Sequence, residues 1–173
     1  MWALIVNGIV AEVTPVNPSG RFAPDMVWAA VPSGATVAQG YSATETNGVW
    51  AFTEPAAPAA PTLAQQAAAL IANGLTITSA GTPALDGVYT MQSGVPFGQE
   101  DIATEAQFIS TYSEFTNGAT TNLTWPLLSG ASVTFPTTAE FLAFAKSAGQ
   151  FVAAVKLAVA QGGTLPPATA QIS

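Results

Sequence analysis

The chain is nearly without ionic side chains and wholly without histidine and cysteine. Of its 173 residues, 3 are Lys or Arg and 10 are Asp or Glu, so 8% are charged, against about 25% in an ordinary domain. The missing imidazole and thiol exclude Ser-His-Asp triads, cysteine nucleophiles and the usual zinc sites. No disulfide can form, so stability has to come from packing and from contacts between chains. The only cations are Arg21, Lys146 and Lys156, and the net charge is −7. Nucleic acid is therefore not an expected partner, because counterion release needs several cations along one face.

Long hydrophobic runs are also scarce. No basic residues precede the apolar start at 1–10, and the longest later apolar run, 151–160, is short and carries Lys156. Neither a signal peptide nor a membrane-inserted segment is expected, which points to synthesis in the cytoplasm. What fills the surface instead is Ala, Ser, Thr, Gly, Gln and Asn. Such a surface costs little to desolvate, since no strongly hydrated ion is stripped from it. Contact with other proteins, including copies of the chain itself, is the expectation from composition.

The order of patterns predicts an α+β chain in four parts. Residues 1–54 read as a small antiparallel β meander. Alternation through Trp2, Leu4 and Val6, a turn at Asn7-Gly8 and further alternation through Ile9, Ala11 and Val13 make a hairpin, because Asn-Gly accepts the positive φ that tight hairpin turns need. Residues 14–24 are expected as a loop and 26–31 as a strand. A second hairpin is expected from 36–45 and 49–53 about Asn47-Gly48.

The Pro55-Ala56-Ala57-Pro58-Ala59-Ala60-Pro61 stretch favours an extended, semi-rigid course, so 55–62 is expected as a linker. Residues 63–163 read as a second unit of three helices with short β-hairpins. Thr62 with Gln65 forms a capping-box pattern ahead of a helix ending at Asn73-Gly74. Strands are expected at 75–79 and 87–91, a helix at 102–115, and a hairpin from 123–128 and 132–135, with Pro126 demoting its strand to an edge. Thr137 and Glu140 repeat the capping pattern before a long helix carrying Phe141, Phe144, Ala148, Phe151, Val152, Val155 and Val159 on one face. Residues 164–173 show no core-forming pattern and are expected as an extended tail.

Chemistry has few places to reside. A carboxylate pair is the one catalytic arrangement the composition leaves open, with Asp86, Glu100, Asp101, Glu105, Glu114 and Glu140 as candidates. Turn, helix N-terminal and capping roles account for these acids more simply, so no catalytic residue, cofactor or metal is assigned. Trp2, Trp28, Tyr41, Trp50 and Trp125 are the candidate partner or glycan contacts, because such rings stack on apolar sugar faces and anchor interfaces. Large aromatics in strands also fill cores, which is the competing role for Trp2, Trp28 and Trp50.

Several strings carry a resemblance. Val6-Asn7-Gly8-Ile9-Val10, Arg21-Phe22-Ala23-Pro24, Val27-Trp28, Gln39-Gly40-Tyr41 and Asn47-Gly48-Val49-Trp50-Ala51-Phe52 before Glu54-Pro55 resemble a small module of bacteriophage tail-fibre-associated proteins. Gly74-Leu75-Thr76-Ile77, Leu85-Asp86-Gly87-Val88-Tyr89, Leu123-Thr124-Trp125, Val133-Thr134-Phe135 and the Ala-rich helix from Thr138 resemble a C-terminal domain of phage tail proteins. The resemblance implies a virion component beside a tail fibre or baseplate, with other tail proteins as partners. Its alternatives are an assembly chaperone that leaves the particle and a receptor-binding module for host glycans.

Overall fold

A computed structural model describes residues 1–20, 23 and 25–173, so Arg21, Phe22 and Pro24 lie outside the description. The chain is α+β and divides into two compact units, Met1–Ala59 and Ala60–Ser173.

The first unit is one antiparallel sheet of β1 (Trp2–Val6), β2 (Ile9–Thr14), β3 (Val27–Ala30), β4 (Ser42–Thr46) and β5 (Val49–Thr53), in the order β3-β1-β2-β4-β5. The third strand thus folds back beside the first. Both Asn-Gly pairs are the hairpin turns expected, with φ of 52° and 74° at Asn7-Gly8 and 52° and 79° at Asn47-Gly48. Residues 36–41 are irregular rather than part of a strand.

One difference from simple alternation decides which face is inside. Leu4 pairs with Glu12 but Ile5 pairs with Val10, so Ala11 is an extra residue in β2. Such a bulge reverses the facing of the residues beyond it. Val13 accordingly lies beside Ala3 on the core face, the same face on which Val10 is buried opposite Ile5, while Ile9 is 44% exposed. The core is formed by Ala3, Ile5, Val10, Ala29, Val31, Val37 and Ala43, with Val13, Tyr41, Trp50 and Phe52 packed at its margin. Small residues line it, and Trp2, Leu4 and Trp28 share the opposite face of the sheet.

The second unit opens with α1 (Leu63–Ala72), whose Thr62 and Gln65 make the reciprocal bonds of a capping box. It continues through β6 (Leu75–Ser79), a single 3-10 turn at Pro83–Leu85, β7 (Gly87–Tyr89), α2 (Gln99–Tyr112), β8 (Leu123–Pro126), β9 (Ser132–Phe135), α3 (Thr138–Gln161) and β10 (Thr169–Ile172). Helix α2 begins three residues before its apolar periodicity, because Asp101 accepts the Phe97 N–H and Glu100 accepts the Gly94 N–H at its first turn. These acids satisfy donors of the preceding loop and suit the positive end of the helix dipole.

The tail at 164–173 is extended but not free. Its β10 pairs in parallel with β6, Thr169 opposite Thr76 through Ile172 opposite Ser79, giving a sheet of order β10-β6-β7. Ile172 is 4% exposed and joins the core. A tail whose two large apolar residues, Leu165 and Ile172, stand seven positions apart gave no periodic signal for this pairing. The core itself centres on Tyr89, Phe135, Phe141 and Phe144, whose rings lie 4.4 to 6.2 Å apart. The 24 residues of α3 span about 36 Å at ~1.5 Å each and cover this cluster along one face.

Candidate functional surfaces

Five of the six acidic candidates, Asp86, Glu100, Asp101, Glu105 and Glu140, accept local hydrogen bonds. Asp86 accepts the Ser79 N–H at 2.7 Å. Glu105, although buried, accepts the Thr116 N–H at 2.9 Å and its hydroxyl at 2.6 Å, fastening the segment after α2. Glu140 accepts from the Thr137 hydroxyl at 2.8 Å and from the Thr82 hydroxyl, so it ties the start of α3 to the 3-10 turn. Glu100 accepts from the Ser93 hydroxyl and the Gly94 N–H; these bonds hold its carboxyl below the usual range, with Lys156 the smallest contributor. Among the described residues no three acids gather as a metal-binding group.

Tyr89 is equally structural. Its hydroxyl donates to the Leu85 carbonyl at 2.7 Å, and burial, with Asp86 adding to it, pushes the phenol far above its ordinary pKa.

The five candidate aromatics are not brought together. Trp125 is 4% exposed, with its ring 5.2 Å from Phe97 and 5.1 Å from Phe141; it belongs to the core of the second unit. Tyr41 and Trp50 pack at the margin of the first core. Trp2 and Trp28 do share a cleft of about 300 Å³ in the first unit, with Asn17, Ser19 and Met26 among its other walls.

The larger concavities flank α3 and contain none of the candidate aromatics. Between α2 and α3 lies a groove of about 580 Å³. On α3 its lining runs Leu142, Ala145, Ala148, Gly149, Val152 and Ala153; on α2 it runs Gln99, Ile102, Ala103 and Ala106. These are i+3 and i+4 steps, so each set forms one stripe. Small side chains along both stripes leave the space unfilled, and a Cβ built on Gly149 meets nothing within 4 Å. Lys146 and Lys156, two of the chain's three cations, stand among the lining residues. A second groove of about 330 Å³ lies between α1 and α3, lined by Ala67, Ala68, Ile71, Val155, Lys156 and Val159.

By length and composition α3 is the one helix among those described that is apolar enough to cross a membrane. Its Phe141, Phe144, Phe151, Val152 and Val155 are buried in the unit's own core, while Leu157 and Val159 remain exposed.

The sequence carried a signal for the first groove in the Ala and Gly residues recurring at helical spacing beside two lysines. Small residues at such positions read equally as tight interior packing. Comparison of the chain with protein-family models, with curated proteins and with solved structures returns no match.

Proposed function

We propose that this chain is a non-enzymatic bacteriophage tail protein, an adaptor beside a tail fibre or baseplate that binds neighbouring proteins through largely apolar surfaces. The observation that carries the assembly part is the pair of apolar grooves along α3 in a chain with so few ions. A neighbour seated there would strip water mainly from methyl and methylene groups, which is favourable at about 25 cal/mol per Å² of apolar surface. The phage part rests on the resemblance of the residue strings given above. The commitment of Asp86, Glu105 and Glu140 to backbone and hydroxyl donors supports a role without catalysis.

Quantitative mass spectrometry of purified particles tests the reading. A virion adaptor is recovered in fixed stoichiometry; a chain absent from particles but needed for fibre assembly is a chaperone instead. Gly149→Arg fills the α2–α3 groove where the backbone leaves room, so the folded variant is expected to drop out of particles. Normal incorporation of that variant would remove the groove from the contact surface.

A second reading, glycan recognition, is favoured by the Trp2–Trp28 cleft with Asn17 and Ser19 on its wall. Rings with adjacent amide and hydroxyl groups suit a sugar's apolar face and its hydroxyls. A glycan array probed with purified chain discriminates it, with Trp2→Ala as the control that should lose any signal.

A further inference from the structure

Strand β5 is an outer strand of the first sheet, bonded to β4 on one side. Native sheets usually guard such an edge with a lysine, a proline or a bulge. The sequence Val49-Trp50-Ala51-Phe52-Thr53 has none of these, and its pairing with β4 is regular from Ser42–Thr53 to Thr46–Val49. The opposite edge, β3, is a residue shorter, with Asp25 and Pro32 two positions beyond its ends, whereas in β5 the charge and proline of Glu54-Pro55 come only after the strand.

The backbone geometry fixes what β5 offers. Thr46 and Val49 flank a two-residue turn and therefore form a hydrogen-bonded pair, as do Thr44 with Ala51 and Ser42 with Thr53. The N–H and C=O of Trp50 and Phe52 consequently point away from β4. Their side chains lie on the core face, and Val49, Ala51 and Thr53 are exposed on the other, Val49 at 67%.

We infer that β5 pairs antiparallel with β5 of a second copy, about a two-fold axis through Ala51, to make a continuous ten-stranded sheet. In this register Trp50 faces Phe52 of the second copy and Phe52 faces its Trp50. Both are hydrogen-bonded pairs, so every outward backbone group of the two residues is used in four bonds. Each pair is also aromatic against aromatic, a favourable cross-strand combination. Ala51 meets Ala51 at the centre, and Val49 meets Thr53. No charges are opposed, since Glu54 falls opposite Gly48 and Glu45 lies one strand inward. A slip that centred the axis on Trp50 or on Phe52 would bring only one of these residues opposite itself and lose the mutual aromatic pairs. The self-complementary pattern is what commits the edge to a second copy rather than to an unrelated strand. The inference rests on the reading of the chain as an assembly protein and names one of its partners.

The absence of cysteine makes the test direct. At the central non-hydrogen-bonded pair the two Cα atoms stand about 4.5 Å apart, within disulfide range. Full-length Ala51→Cys should couple rapidly into a dimer under mild oxidation. Thr44→Cys, on the same face but one strand inward, lies about 15 Å from its mate and should not. The unmodified chain should sediment as a dimer at roughly 100 µM, and Ala51→Lys, which opposes two like charges on an exposed face, should weaken the dimer by about tenfold or more. Coupling of Ala51→Cys no faster than Thr44→Cys, or an undiminished Ala51→Lys dimer, would overturn the inference. Such a result with the chain still present in particles sinks the self-pairing alone; absence from particles sinks the adaptor reading instead.

Discussion

Among the described residues, polar side chains tie loops and helix starts together mostly through hydroxyl and carboxylate hydrogen bonds. Glu100 is the clearest case, bonded to the Ser93 hydroxyl and the Gly94 N–H, with its carboxyl held below the ordinary value of 4.5. A folded-state pKa lowered in this way makes the tie complete above the ordinary value and lost as pH falls through the lowered one. The Gly94 amide resonance, followed from about pH 6 to about pH 2, is expected to titrate below the free-glutamate midpoint, and Glu100→Gln should abolish the transition. Titration at the ordinary value would show that the tie is not formed. The carboxylate is fully exposed, so the effect belongs to the loop at 93–98 and should leave global stability nearly unchanged. Residue identity by itself did not reveal where each aromatic would sit: nothing around Trp125 in the sequence shows that Phe97 and Phe141 pack against it and place it in the second unit's core.

Elements whose signals are local were legible, and those assembled across distance were not. Asn47-Gly48 and the Thr62–Gln65 box carry their geometry in two to four adjacent residues, and both form as expected. The bulge at Ala11 shows no composition of its own, so the turn of Val13 to the core face could not be read from alternation. Strand β10 is the largest omission, because parallel pairing with β6 depends on residues far away in the chain. Its energetic role can be checked. Ile172 is the buried anchor of the strand, and Ile172→Ala is expected to destabilise the second unit by about 2–5 kcal/mol. The exposed neighbour Gln171→Ala should cost under about 0.5 kcal/mol. Urea unfolding followed by circular dichroism distinguishes the two; equal effects would mean that the strand contributes little.

For the molecule as a whole, scarcity of charge sets how association responds to solution conditions. Contacts made by apolar grooves and strand edges contain few ions for salt to screen. Self-association measured by sedimentation is therefore expected to be unchanged or slightly stronger between low salt and about 0.5 M sodium chloride. A steep loss of association with salt would instead place Lys146 and Lys156 at the centre of the contact. Composition made the scarcity of ions legible at once. The grooves along α3 were not legible, since an alanine at helical spacing reads the same whether a neighbouring helix covers it or leaves it open.

The parallel pairing of Thr169–Ile172 with Thr76–Ser79 has a consequence for the order in which the second unit forms. More than ninety residues separate the partners, so the strand can add only after the intervening helices and hairpin have drawn the chain ends close, which is entropically a late event. Contacts made after the rate-limiting barrier govern how fast a protein comes apart rather than how fast it is made. Loss of β10 contacts is therefore expected to speed the unit's unfolding more than it slows its folding, although these four residues carry the least visible pattern in the sequence.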